Sequence, residues 1–131
     1  MYLLDSDILI HLLRGNATVT ERLREHRDAL KALSVVTYGE LLYGAHKSQR
    51  PVEHLARVRR LAELFPPIPV TRDIMNSFAE VKVKLESKGE PIDDFDLIIG
   101  VTALSLNYAV VTNNERHFRR IPGLKIENWT K

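Results

Sequence analysis

The chain of 131 residues contains no cysteine. Disulfides, thiolate chemistry and a cysteine-based zinc site are therefore excluded, which fits a reducing compartment. Charge of one sign is also scarce in excess: the formal net charge is only +2, so net charge alone makes no case for nucleic acid. Histidine is thin, five scattered residues with no obvious partner for acid–base catalysis. No positive leader precedes the apolar start Met1-Tyr2-Leu3-Leu4, and Asp5 and Asp7 interrupt it. Neither a signal peptide nor a membrane span is expected there, and the later apolar stretches are too short to cross a bilayer. The expectation is a cytoplasmic protein with no membrane partner. No linker, repeat or low-complexity stretch divides the chain.

What is present is an ordinary globular composition, 44% hydrophobic and 27% charged. The length suits one core and is short for two, so a single domain over residues 1–131 is expected. Basic residues gather at Arg57, Arg59 and Arg60, and at Arg116, His117, Arg119 and Arg120. Solvated helix faces explain such runs in general. The second cluster follows a candidate active-site segment, which favours phosphate contact there.

The hydrophobic pattern alternates strands and helices. Tyr2–Leu4 reads as a buried strand, followed by Ile8, Leu9, Leu12 and Leu13 at helical spacing until Gly15-Asn16. Thr18 is the expected cap of a helix carrying Val19, Leu23 and Leu30. Leu33–Val36 reads as a strand, and Thr37 opens the next helix. A helix from Pro51 to Phe65 ends at Pro66-Pro67. Ile68-Pro69-Val70 suits an edge strand. A helix from about Thr71 to Lys88 shows Ile74, Phe78, Val81 and Leu85 along one stripe, with Gly89 as its stop. Leu97–Leu106 is apolar nearly all round, Ala109-Val110-Val111 is a strand, and Leu124-Lys125-Ile126 another. This alternation implies an α/β fold with a mainly parallel central sheet flanked by helices. Such sheets bind ligands beyond the carboxyl ends of their strands, where Asp5 and the segment after Val111 should emerge.

Three acids stand beside apolar segments: Asp5, Glu40 and Asp96. Brought into one crevice, their carboxylates repel unless protons or a cation intervene. Hard oxygen ligands suit Mg²⁺ or Mn²⁺, which engage phosphates, so phosphodiester hydrolysis is the leading reading. Each acid also has a structural reading. Asp5-Ser6 can cap the following helix, with Ser6 otherwise hydrogen-bonding in a pocket. Asp7 can simply favour a helix's positive end. Thr37-Tyr38-Gly39-Glu40 matches a capping box, and Asp93-Asp94-Phe95-Asp96 a polar helix start.

Taken jointly, the pattern resembles the PIN-domain ribonucleases, and among them the VapC toxins of toxin–antitoxin pairs. The resemblance covers essentially the whole chain. It is carried by Leu3-Leu4-Asp5-Ser6-Asp7-Ile8-Leu9, Gly39-Glu40-Leu41-Leu42-Tyr43-Gly44-Ala45, Pro91-Ile92-Asp93-Asp94-Phe95-Asp96-Leu97-Ile98-Ile99 and Val110-Val111-Thr112-Asn113-Asn114-Glu115-Arg116-His117-Phe118. It implies a PIN-like fold with Asp5, Glu40 and Asp96 as catalytic acids and Asp5 and Asp96 as ligands of Mg²⁺ or Mn²⁺. Ser6, Asp7, Thr112 and Asn114 would line the pocket, with Arg116, His117, Arg119 and Arg120 on RNA. It further implies a homodimer silenced by a cognate VapB-like antitoxin. Two departures stand out: Asp7 where the family often has Asn, and Asn114 where many members have a fourth acid, which weakens a second metal position. Thr112 matches the family's pocket threonine, or is a strand-end hydroxyl capping a turn.

The expected chemistry is endoribonucleolytic. A cation would activate water for in-line attack, leaving 5′-phosphate and 3′-hydroxyl ends, on an RNA that the resemblance suggests is tRNA. Two other classes compete. A phosphoryl-accepting receiver domain needs a central-strand acceptor Asp and a late Lys, and no Lys flanks Thr112-Asn113. A catalytically silent RNA- or protein-binding module of the same fold would lack cleavage altogether.

Overall fold

A computed structural model describes residues 1–131. Its order is β1 (Tyr2–Leu4), α1 (Ser6–Leu13), α2 (Ala17–Glu25), β2 (Lys31–Ser34), α3 (Val35–Lys47), α4 (Pro51–Leu64), β3 (Pro67–Ile68), α5 (Arg72–Ser87), α6 (Asp94–Leu106), β4 (Ala109–Val111), α7 (Glu115–Phe118) and β5 (Ile126–Glu127). All four strand pairings are parallel, in the order β3-β2-β1-β4-β5. A receiver-type sheet runs 2-1-3-4-5, so the topology removes that rival.

The side-chain period of two splits each central strand between two cores. Leu3, Ala32 and Val110 face one side, where α5, α6 and α7 supply Ile74, Leu85, Leu97, Ile99 and Phe118. Leu4, Leu33 and Val111 face the other, against Ile8, Leu9, Val19, Leu41 and Leu61 of α1 to α4. Chain order explains the split: a right-handed crossover puts the helices leading from β1 towards β3 on one face, and those returning to β4 on the opposite face. Helix α6 is apolar all round because it is buried all round, with Leu97 through Ala103 enclosed. No helix is long and apolar enough to cross a membrane.

Several boundaries differ from the pattern reading, each for a local reason. Asn16, not Thr18, caps α2: its Oδ1 accepts from Val19 N at 3.0 Å. That helix ends at Glu25, leaving Leu30 exposed just before β2. The second strand stops at Ser34, whose hydroxyl accepts from Val36 N at 3.2 Å and so starts α3 two residues before Thr37. The β-branched pair Val35-Val36 is thus helical, overridden by the cap ahead of it. β3 and β5 are each two residues long, at the sheet's two edges, and each is shifted from the expected segment.

Candidate active site

The order of the sheet reverses between β1 and β4, so two neighbouring strands send their following chains to opposite faces. This opens a crevice beyond their carboxyl ends. Asp5 leaves β1 at that crevice and Thr112 leaves β4. The Thr112 hydroxyl donates to Asp5 Oδ2 at 2.8 Å and accepts from Asn114 N at 2.9 Å. Ser6 N donates to Asp5 Oδ1 at 2.8 Å. Asp5 therefore caps α1 and lines the crevice at once, so its two readings are compatible. Ser6 contributes its backbone N–H rather than the hydroxyl bond expected of it.

Asp5 is only 5% exposed. Burial, followed by the charge of Asp7, pushes its carboxyl up to about 7 against the hydrogen bonds from Thr112 and Ser6. Asp7 is also raised, chiefly by burial, while N–H groups of Asn113 and Ile8 oppose the shift. Its Oδ2 accepts from Asn113 N at 3.0 Å, tying α1 to the turn after β4. Asp7 thus does more than favour a helix dipole.

Glu40 lies well inside α3, since Ser34 is the cap. The capping-box reading fails for that reason. Its carboxyl is raised by burial and then by Asp96, Asp93 and Asp7. Asp96 occupies the first turn of α6, where Asp93 is the cap through Phe95 N at 3.1 Å and Asp94 pairs with Lys82 at 2.9 Å. Burial and then Asp93 raise Asp96, with His117 opposing. The four acids feel one another's charge across one crevice.

They do not close into a cage. No group of three His, Cys, Asp or Glu side chains stands close enough to form a ready cation site. The donor set nevertheless fits a hard divalent ion. It is all oxygen, its members have carboxyl pKa values raised by burial and neighbouring acids, and Asp7 Oδ1 and Glu40 Oε1 are buried without any partner. Thr37 Oγ1, fully buried one turn before Glu40, is a third unpartnered oxygen. A buried polar atom left unpaired costs stability, and a cation with its water shell would relieve that cost.

Asn114 and His117 meet at the edge of this crevice. Asn114 Nδ2 lies 2.8 Å from His117 Nδ1, and the same ring nitrogen lies 3.7 Å from Asp96 Oδ2. The neutral ring accepts from the Asn114 amide; the protonated ring would turn an N–H towards Asp96. Asn114 is therefore engaged by His117, and His117 is partly exposed with one ring edge towards Asp96. Among the arginines, Arg116 is exposed, Arg119 pairs with Glu115 at 3.2 Å, and Arg120 donates to Pro91 O at 2.5 Å. Arg120 is thus a clip on the approach to α6.

Residues near the chain's end support this region, and pattern reading missed them. Asn128 Nδ2 donates to Asn113 Oδ1 at 3.2 Å and to Glu115 Oε2 at 3.0 Å, and Thr130 Oγ1 reaches Asn113 Oδ1 at 3.1 Å. Buried Trp129 anchors the segment, stacked on His26 at 4.6 Å. The cluster Asn128-Trp129-Thr130 has no sequence spacing that marks it.

A parallel sheet whose strand order reverses at an acid-lined crevice defines an α/β protein with a candidate site at its strand ends, and the chain belongs to the PIN domain family, whose model matches residues 2–124. Its relatives matched over the full length include VapC proteins. It is 32% identical over 130 residues to the tRNA(fMet)-specific endonuclease VapC of Shigella flexneri, covering 98% of each chain. It is 32% identical over 134 residues to ribonuclease VapC1 of Haemophilus influenzae strain R2866, covering 100% of this chain and 99% of the relative. Among solved structures, VapBC2 from Rickettsia felis bound to a promoter DNA fragment superposes with a TM-score of 0.91 at 28% identity, over 98% of both chains. DNA-bound VapBC from Salmonella typhimurium gives 0.89 at 30% identity, over 98% and 97%.

Proposed function

We propose that this protein is a metal-dependent endoribonuclease, the toxin of a VapBC-type toxin–antitoxin pair, working in the cytoplasm. The observation that carries the reading is the acid cluster at the switch point. Four carboxylates are held partly buried and mutually destabilised, two of them with unpartnered buried oxygens. The cap made by Asp5 and the turn contact made by Asp7 do not require four acids together, and a cation engaging a phosphate would offset their repulsion.

In this reading Asp5 and Asp96 would hold Mg²⁺ or Mn²⁺, and Glu40 would complete the acidic wall. When bound, the ion supplies Lewis-acid stabilisation of charge on a phosphoryl oxygen and a water of lowered pKa. The protein does the rest. Thr112 and Ser6 N fix the Asp5 carboxylate through its two oxygens. Asp7 fixes the β4 turn, and His117 can offset charge at Asp96. Glu40, on a separate helix, would orient the attacking water. No ribose hydroxyl acts as nucleophile, so the products carry 5′-phosphate and 3′-hydroxyl ends. The name of the Shigella relative supports transfer RNA as the substrate class.

The likeness to VapBC structures supports an antitoxin partner of VapB type and a homodimeric toxin. A carboxylate-lined crevice receives a guanidinium well, because its planar fork bonds two oxygens at once. The antitoxin is therefore expected to place an arginine near Asp5, Glu40 and Asp96. The test of the activity uses pure protein and tRNA. Cleavage should require Mg²⁺ or Mn²⁺, vanish in the Asp96→Asn variant, and yield ends that are ligatable only while the 5′-phosphate remains. Undiminished cleavage in excess EDTA would sink the mechanism.

A further inference from the structure

The chain has four tyrosines, four phenylalanines and one tryptophan. Seven of these nine rings belong to, or pack against, the two hydrophobic cores. The exceptions are Tyr43, 64% exposed, and Phe95, 45% exposed. Neither ring is needed for the core. Both stand beside a candidate catalytic acid: Phe95 immediately precedes Asp96 in the first turn of α6, and Tyr43 lies one helical turn after Glu40 on α3. The two helices pack against each other.

One of the two rings also has a cation near it. Lys47 Nζ is 5.2 Å from the centroid of the Tyr43 ring. Lys82 Nζ, by contrast, pairs with Asp94 at 2.9 Å and lies 5.6 Å from the Phe78 ring, leaving Phe95 without a cation partner. The Phe95 backbone is pinned by the Asp93 cap, so its ring projects from a fixed helix start. An exposed aromatic ring costs free energy in water, and an open π face on the helix that carries an acid of the site matches a nucleobase, with Lys47 beside Tyr43 able to meet a phosphate.

We propose that Tyr43 and Phe95 are base-stacking platforms that hold unpaired nucleotides of an RNA strand on either side of the phosphate presented to the acids. The proposal rests on the nuclease reading and adds to it a substrate geometry. Bases inside a duplex are already stacked on one another, so only single-stranded or splayed nucleotides can use these rings. Stacking tolerates every base because each has a π face. The platforms therefore select for unpaired structure, and sequence choice must come from other contacts.

The test is a labelled pool of randomised single-stranded RNA about fifteen nucleotides long, within the site sizes usual for such surfaces. Binding is read by anisotropy in EDTA, cleavage on gels with Mg²⁺, and oligomeric mass by light scattering. Phe95→Leu and Tyr43→Leu keep apolar bulk but lose the π face. Each should weaken binding by about tenfold and raise KM more than it lowers kcat. Phe95→Trp and Tyr43→Phe should restore affinity, and a blunt RNA duplex should bind all forms alike. Unchanged affinity in both Leu variants, or aromatic replacements that fail to rescue, would overturn the proposal. So would a change in oligomeric mass, which would make the rings a contact between copies. Wild-type protein that neither binds nor cleaves the pool would instead remove the nuclease reading beneath it.

Discussion

Thr112 and Asp5, 107 residues apart, are joined by a hydrogen bond of 2.8 Å across the two strand ends where the sheet reverses direction. The hydroxyl gives its proton to the carboxylate and takes one from Asn114 N. One side chain thus orders both the first acid and the turn after β4. Thr112→Val keeps the shape and removes both bonds. We expect a stability loss of about 1–3 kcal/mol, the usual cost of stranding buried polar groups. The Asp5 carboxyl should rise further, moving the acid limb of the cleavage profile to higher pH. Thermal melting and a pH–rate series check this, with Thr112→Ser as the rescue.

Stability without metal should fall as pH rises. Asp5 titrates at about 7 in the fold, against an ordinary 3.8. The folded chain therefore binds more protons than the unfolded chain between these values, and stability declines with pH across that window. The full effect of Asp5 is of the order of 4 kcal/mol. Asp7, Glu40 and Asp96 are raised too and act in the same direction. Melting in EDTA from pH 4 to 8 should show the decline, and Asp5→Asn should flatten it. A melting temperature that climbs over this range would contradict the burial of a strained carboxylate.

Glu40→Gln separates catalysis from scaffolding. Because Ser34 starts the helix, Gln removes charge without removing a cap. Cleavage should collapse while stability in EDTA holds or rises, since one member of a repelling set is gone. Retained cleavage would take Glu40 out of the site.

The basic cluster after β4 should divide by role. Arg116 is exposed and should contact phosphate, so Arg116→Ala should reduce the salt slope of RNA binding by roughly one. Arg120 holds the Pro91 carbonyl, so Arg120→Ala should lower melting temperature and leave the slope nearly unchanged. Arg119, paired with Glu115 on the surface, should matter little to stability. Binding isotherms at several salt concentrations decide among the three.

The chain's periodicities were enough for the α/β class and for most helices. Leu97–Leu106 announced a buried helix, and Gly89 a helix stop, which takes φ 70° in the fold. The edge strands were harder to locate. Two-residue strands such as Pro67–Ile68 carry no period of their own and exist only because a neighbour offers its backbone. The start of α3 was misplaced for a related reason: Ser34 and Thr37 are both good caps by type, and only the end of β2 chooses between them.

Residue identity alone determined the candidate chemistry: three acids in separate motifs, no thiols, and no paired histidines. That inventory is local and survives in any conformation. Tertiary structure decided which acids share a crevice, because their mutual charge depends on a strand order that reverses at β1 and β4. It also decided that Asp5 is buried, that Asn114 bonds to His117, and that Asn128 steadies the Asn113 turn. Each of these is a contact between residues whose separation along the chain holds no period to read, and burial and distance exist only once the sheet has formed.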